Sequence, residues 1–385
     1  MFIAVVWWIV AFIIFWAMVG YPVSLVIINK VLKRSNNKDN SYEPSVTIMV
    51  VAHNEERVIE EKLQNLLEIQ YPTEKLKYLI TSDYSTDKTN EIVETFISAH
   101  PERSIRLHKA IEHKGKTNAQ NEAQKMCDTE ILVMTDANAM FEPNAVKELV
   151  SYFADSDVAY VSGKLAYKNT GDNGTANSEG FYWKLDLLCR GIESRIQTIT
   201  AGNGAIYAVR NSEYVDIPPI ECHDSSFPVL YALGHKRALY NPDAVAYEKA
   251  GEVDEDEFKR KVRMNRIILR GILPSAKILN VFSYRWFSYF YFGHRTCRYL
   301  LWIAHLLLLI INIPLAFNGP FWVITLCLQL IFYSCALAGW QTKSTNKFLK
   351  IPAYYCMTVA AQWKGVINVI TGKSKPVWEK AESTR

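Results

Sequence analysis

Asp136 and Asn138 stand two residues apart at the end of the apolar run ILVMT. Side chains at i and i+2 of an extended segment project to the same side. Both are hard oxygen donors, of the kind that hold Mg2+ or Mn2+ together with phosphate oxygens. Taken alone, the pair reads better as a capped turn with Asn138 in a left-handed position. Three further polar clusters favour the metal reading. They are His53-Asn54-Glu55, Asp83, and His113-Lys114-Gly115-Lys116, and each follows another apolar stretch.

The hydrophobic pattern predicts the elements that would bring these clusters together. SVTIMVVAH, residues 45–53, is almost wholly apolar and rich in β-branched residues, as a buried parallel strand is. Val58, Leu63, Leu66, Leu67 and Ile69 then fall on one helical face. KYLITSD (77–83) predicts a second strand, and STDKTNEIVETFI (85–97) a second helix with Ser85 or Thr86 as its N-cap. SIRLHKA (104–110), TNAQNEAQKM (117–126) and EILVMTD (130–136) continue the alternation. The order β-α-β-α-β-α-β implies an α/β fold, an open and mostly parallel sheet with helices on both faces. Ligands of such sheets sit at the carboxyl ends of the strands, where all four polar clusters lie. Neither G-x-G-x-x-G nor G-x-x-x-x-G-K-[ST] occurs, so no Rossmann dinucleotide site and no P-loop is indicated.

The 385 residues carry a net charge of +4, too mild for a dedicated nucleic-acid binder. The seven cysteines are odd in number and form no C-x-x-C pair, which argues against a disulfide framework or a zinc site. From Phe2 to Ile28 the chain is apolar for long enough to span a bilayer. Lys30, Lys33 and Arg34 follow it and predict a cytoplasmic side for what comes next. Tyr299–Phe317 and Phe321–Trp340, separated by Asn318-Gly319-Pro320, read as a membrane hairpin. Arg295 and Arg298 on one flank, and Lys343 and Lys347 on the other, put both of its ends in the cytoplasm. Residues 350–371 are apolar but hold Gln362, Trp363 and Lys364 in their middle, a mixture that suits an interfacial helix better than a span.

The stretches VVAHNEE, SDYSTDKT, HKGKTNAQN, MTDANAMFEPNA, GFYWKLDLLCRGIES, GNGAIYAVR, HDSSFPVLYALGHKRALYNPDAVAYE and EFKRKVRM occur in that order, followed by GHRTCRYL and a final VWEKAESTR. This ordered set resembles the membrane-bound family 2 glycosyltransferases, the group of cellulose, hyaluronan and poly-N-acetylglucosamine synthases. The resemblance implies a GT-A type catalytic domain over residues 45–265. Around it would lie a membrane helix (1–30), a linker (31–44), interfacial helices (266–298), a membrane hairpin (299–340) and an interfacial or re-entrant helix with a cytosolic tail (341–385). It implies that Glu55 and Asp83 contact the uridine of a UDP-sugar and that Lys116 lies near the nucleotide or its phosphates. Asp136 would touch the nucleotide and hold Mn2+ or Mg2+ with Asn138. Asp224 would be the catalytic base, and Arg263, with Arg260, would lie near the pyrophosphate. The acceptor would be a growing glycan, met at the cytoplasmic face of the cell membrane.

Several positions depart from the family pattern. His223 stands where a second acid usually precedes the base; it could be a surface residue, a metal neighbour or an acceptor contact, and a lone histidine is more often structural. Tyr84 replaces a usual Gly, and Asn138 brings no charge. Arg260 and Met264 take the places of Gln and Trp in the Q-x-x-R-W region. That Trp is expected to stack on the acceptor sugar, so its loss bears on processive synthesis. Trp183 could replace it or simply pack. Three spans would couple synthesis to export only through a homo-oligomer or an export partner, or not at all. Two further readings follow: single addition to a polyprenyl-phosphate or other lipid-linked acceptor, and a non-catalytic membrane scaffold on a nucleotide fold.

Overall fold

The computed structural model describes residues 2–32, 34–167, 174–249, 254–342, 344 and 346–377, with side chains left aside for 174–182 and 254. Lys33, Lys343 and the end of VWEKAESTR lie outside the described residues.

Eight strands form one sheet: β1 (Val46–Ala52), β2 (Leu76–Ser82), β3 (Ile105–Lys109), β4 (Ile131–Asp136), β5 (Met140–Phe141), β6 (Val158–Tyr167), β7 (Ile206–Arg210) and β8 (Arg237–Glu248). Their order is β3-β2-β1-β4-β7-β6-β8-β5. The first four are parallel, as the alternation predicted. The sheet then continues through antiparallel β7, so it is mixed. Every residue of β1 is buried, because both of its faces are covered. Ile48 and Val50 face one core and Met49 faces the other.

The helices that matter for the site are α1 (Phe2–Leu32), α2 (Ile59–Leu67), α3 (Thr89–Ala99), α4 (Lys116–Gln124), α5 (Ala145–Val150), α6 (Gly174–Ile196), α7 (His223–Leu233) and α8 (Asp254–Met264). Then come α9 (Leu301–Leu315), α10 (Pro320–Thr342) and α11 (Lys347–Ile370). Leu63 and Leu66 of α2 and Val93 and Phe96 of α3 fill the core with Ile48 and Val50. Ala123 of α4 and Phe227 of α7 cover the opposite face.

Neither Ser85 nor Thr86 caps α3, which begins later, at Thr89. Asp87 accepts from the Thr89 backbone N–H at 3.0 Å and from its hydroxyl at 2.5 Å. Ser85 instead accepts the Asn54 N–H at 3.0 Å, so its hydroxyl ties the loop after β2 to the end of β1.

Among the described residues, three helices are long and apolar enough to cross a membrane: Phe2–Leu32, Leu301–Asn318 and Pro320–Thr342. Gly319, at φ 138°, makes the turn between the last two, a conformation open to glycine. Trp7 of α1 meets Trp322 of α10 edge-on, with ring centroids 5.3 Å apart. α11 packs against α10 and α8. Its Gln362, an awkward group in an apolar run, is buried and donates to the Arg298 carbonyl at 2.9 Å.

Candidate active site

Strand register brings the clusters to one rim. Ala52 pairs with Ser82 and Val51 with Asp136, so the carboxyl ends of β1, β2 and β4 stop level with one another. Glu55 and Asp83 are both buried just beyond the ends of β1 and β2. Asp83 fastens the loop between β3 and α4. Its Oδ1 accepts the Lys114 N–H at 3.2 Å, and its Oδ2 accepts the Gly115 N–H at 3.0 Å and faces His113 Nδ1 at 2.8 Å. Gly115, at φ 95°, lets the loop fold back onto that carboxylate.

Lys116 opens α4 and reaches across the sheet end. Its Nζ contacts Asp136 Oδ1 and donates to the Gly204 carbonyl at 3.2 Å. Burial pulls the ammonium down, but the Asp136 carboxylate beside it, with Asp224 behind, outweighs burial and raises it above its ordinary value. Asp224 lies in the first turn of α7. A Cβ placed on Gly204 would stand 3.4 Å from Lys116 Nζ and 3.6 Å from Asp224 Oδ2. Asp136, Lys116 and Asp224 therefore converge beside Gly204, which marks the candidate cleft.

Gly202 has a different reason to be glycine, since a Cβ there would meet the Tyr160 hydroxyl at 1.9 Å. Its N–H donates to the Asp224 carbonyl at 2.6 Å. The segment Gly202-Asn203-Gly204 thus touches Asp224 at one end and Lys116 at the other.

The basic helix α8 closes one side. Burial, with Arg260 and Arg266 alongside, pulls the Arg263 guanidinium below its ordinary value, while Cys222 and Asp136 act against that. Arg263 thus lies within electrostatic reach of the cleft. Arg260 is engaged by Glu257 on its own helix, at 2.5 and 2.8 Å. Arg266 was not singled out from the sequence, yet it donates to the Glu221 carbonyl at 2.9 Å and to Cys222 Sγ at 3.0 Å, beside Asp224. Its place three residues after Arg263, one helical turn on, was the signal.

His223 faces neither solvent nor the cleft contents. It is buried, with Nδ1 2.9 Å from Gln120 Oε1 and Nε2 2.9 Å from the Tyr214 hydroxyl. Burial overturns the surface reading, and both ring nitrogens are spent on internal partners, as in a structural histidine. Met264, in the place of the family Trp, is exposed. Trp183 donates to the Leu165 carbonyl at 3.3 Å and packs against the sheet.

Two places could hold a cation. Asp136 and Asn138 share one turn and offer hard oxygens, which suits an ion whose other positions go to water and phosphate. His53, Asp83 and His113 bring one ligand atom each within 4.8 Å of one another, the one such cluster among the described residues. Their geometry is less suitable. The two imidazoles stack with centroids 3.9 Å apart and planes 9° apart, so an ion in one ring plane stands off the other. Both Nδ1 atoms are also already engaged, by the Asp83 carbonyl and the Asp83 carboxylate.

Residues 47–215 match the family model for Glycosyl transferase family 2. The chain carries a family 2 glycosyltransferase domain. It is 25% identical over 261 residues to a hyaluronan synthase of Streptococcus pyogenes serotype M3, across 62% of this chain and 61% of that one. It is 29% identical over 163 residues to a Beta-monoglucosyldiacylglycerol synthase of Synechocystis sp., across 42% of this chain and 33% of that one. The chain thus spans less than two thirds of the length of these curated relatives. Its fold matches that of the mannosyltransferase PcManGT from Pyrobaculum calidifontis, solved in complex with GDP-Man and Mn2+. The TM-score is 0.73 at 21% identity, over 95% of this chain and 99% of that one. The fold is GT-A, a mostly parallel sheet between helices with apolar helices attached.

Proposed function

We propose that this family 2 glycosyltransferase is a membrane-bound, inverting, divalent-metal-dependent enzyme. It moves a sugar from a UDP-sugar to a growing polysaccharide at the cytoplasmic face of the cell membrane. The observation that carries the reading is the shared cleft, in which Asp136 and Asp224 flank Lys116 above Gly204. Asp224 takes the proton of the acceptor hydroxyl as its oxygen attacks the anomeric carbon from the face opposite the leaving group. The new C–O bond forms as the bond to the β-phosphate breaks, and UDP leaves with the electron pair. Lys116 and Arg263 stabilise the charge that grows on the diphosphate. Asp136 and Asn138 would hold Mn2+ or Mg2+, which when bound neutralises part of that charge. Glu55 and the loop fastened by Asp83 border the place of the nucleoside.

A second reading is favoured by one feature. Met264, exposed on α8, takes the place where the family pattern has an aromatic platform for the incoming sugar. A single addition to a lipid-linked acceptor needs no such platform.

One experiment separates the outcomes. The full chain in nanodiscs is supplied with UDP-glucose, UDP-galactose, UDP-N-acetylglucosamine and GDP-mannose, each with Mn2+ or Mg2+, and products are read by mass. Long products support polymer synthesis, and strict single addition supports the second reading. Asp224→Asn is expected to lower turnover by about 10²–10⁴ while UDP still binds. Full turnover in that variant would remove Asp224 from the role of base, and turnover of GDP-mannose alone would overturn the UDP donor.

A further inference from the structure

Beneath the cleft lies a knot of buried charge that the chemistry above does not use. Asp186, Arg190 and Glu193 lie on α6, His294 and Arg298 on the segment before α9, and Tyr21 on membrane helix α1, and all are buried. The Tyr21 hydroxyl donates to Glu193 Oε1 at 2.5 Å. His294 Nδ1 faces the same oxygen at 2.6 Å, and its Nε2 faces Asp186 Oδ1 at 2.8 Å. The imidazole thus bridges the two carboxylates. Arg298 donates to Asp186 Oδ1 at 2.8 Å, and Arg190 Nε donates to Asp186 Oδ2 at 2.6 Å. Burial pushes the Asp186 carboxyl up, but Arg190, His294 and Arg298 hold it well below its usual range.

One bond leaves the knot toward the cleft. Arg190 donates through a terminal nitrogen to the Gly202 carbonyl at 2.5 Å. The N–H of the same residue, Gly202, donates to the Asp224 carbonyl at 2.6 Å. Buried hydrogen bonds therefore run without a break from α1 through Glu193, His294, Asp186, Arg190 and Gly202 to Asp224. Apolar packing could hold α6 against the membrane helices, and buried ion pairs are a costly substitute for it. What the ion pairs add is direction. A guanidinium carries its donors in a rigid fork, so fixing Nε on Asp186 also fixes where the terminal nitrogen points.

We infer that Arg190 is the positioning residue for Asp224, and that the knot ties this placement to the docking of membrane helix α1. The inference rests on the reading of Asp224 as the base. Arg190 touches no substrate; it sets the loop on which the base leans. Lysine has one ammonium and no fork, so Arg190→Lys keeps the charge but cannot hold Asp186 and Gly202 together with the same geometry. Tyr21→Phe removes only the hydroxyl at the membrane end.

The test uses the full chain in nanodiscs and the donor that the panel above identifies, with UDP plus Mn2+ as the binding probe. Arg190→Lys is expected to lower kcat on the order of 10- to 100-fold, the signature of an interaction needed for chemistry, with UDP affinity and thermal midpoint near wild type. Tyr21→Phe is expected to lower kcat by a smaller factor, about 3- to 10-fold, again without loss of UDP affinity. An Arg190→Lys protein with wild-type kcat overturns the positioning role. So does one whose UDP affinity and midpoint fall together with kcat, since that marks a purely structural residue. If Arg190→Lys does not fold, Tyr21→Phe decides alone, and wild-type turnover in it overturns the tie to the membrane helix. Asp224→Asn runs in parallel. Activity retained there fails the assignment of the base, whereas activity lost there but kept in both other variants fails this inference alone.

Discussion

Lys62, fully buried on α2, donates to the carbonyl of Ala139, one residue beyond Asn138. Its Nζ also lies 3.3 Å from the Thr135 hydroxyl and 4.1 Å from the centroid of the Phe141 ring. A buried lysine thus props the Asp136–Asn138 turn from inside the protein.

That placement predicts an unusual pH dependence of stability. Burial pulls the Lys62 ammonium down to about 7 from its ordinary 10.5, against the pull of Asp136 and Glu248. Between those two values the unfolded chain binds a proton at Lys62 that the folded chain does not. Stability therefore rises with pH across that window, by up to a few kcal/mol or about 1.4 per pH unit. In Lys62→Met, which keeps the volume, this contribution is gone. The difference in thermal midpoint between wild type and Lys62→Met, followed from pH 6.5 to 10, should move in favour of wild type as pH rises. A difference that is flat with pH would show that the group keeps its proton.

Lys116 behaves in the opposite way, since its charge is held above the ordinary value by Asp136. It stays an ammonium at every pH at which the enzyme can be assayed. Lys116→Met would leave the Asp136 and Asp224 carboxylates without the cation between them. UDP affinity is expected to fall by about 1.5–3 kcal/mol, the worth of a hydrogen bond to a charged group, which is on the order of 10- to 100-fold. Isothermal titration with UDP and Mn2+ at pH 7 and pH 9 checks both parts. The variant should bind weakly at either pH, and wild type should show no loss from this residue at the higher one.

His223 gives a second linkage. Burial, with the Lys116 charge nearby, pulls its imidazole down to about 3. The folded chain therefore keeps it neutral where the unfolded chain, with an ordinary value near 6.5, binds a proton. Stability contributed in this way falls as pH drops below about 6.5, by about 2 kcal/mol at pH 5. His223→Gln should lose that acid sensitivity in denaturant titrations. The shape of its pH–rate profile should stay as in wild type, because the ring does not titrate between pH 5 and 8. An altered acid limb in the rate would mean that His223 takes part in the chemistry.

The parallel half of the sheet was legible because its strands are short apolar runs between helical repeats, and the rim residues follow from where those runs stop. Lys62 was not legible. It sits between Glu61 and Leu63 on an amphipathic helix and looks like the edge of a solvated face, until the turn after β4 closes over it. The start of α3 was misplaced because Ser85, Thr86 and Asp87 all suit a cap, and only the spatial position of Asn54 takes the first of them away. The pairings of β5 to β8, parallel between β6 and β8 and antiparallel elsewhere, and the knot around Asp186 depend on contacts between residues far apart in the chain, which no local pattern carries. Asp224 was found by resemblance; its neighbours Arg190 and Gly202 needed coordinates.

Gly202 offers the sharpest steric test. Its N–H holds the Asp224 carbonyl, and its Cα lies so near Tyr160 that an added Cβ would be 1.9 Å from the hydroxyl and 2.7 Å from the ring carbon that bears it. Gly202→Ala must therefore push the loop or the ring aside. An overpacked core position typically costs about 1–3 kcal/mol, and here the displacement falls on the residue that supports Asp224. Stability should drop by that amount and kcat by more than UDP affinity. Tyr160→Phe removes the nearer of the two clashes but leaves the ring carbon too close. The double variant should then recover part of the stability, giving a coupling of about 0.5–3 kcal/mol in a double-mutant cycle. Strict additivity of the two single changes would mean that the loop, and not the tyrosine, yields to the new methyl group.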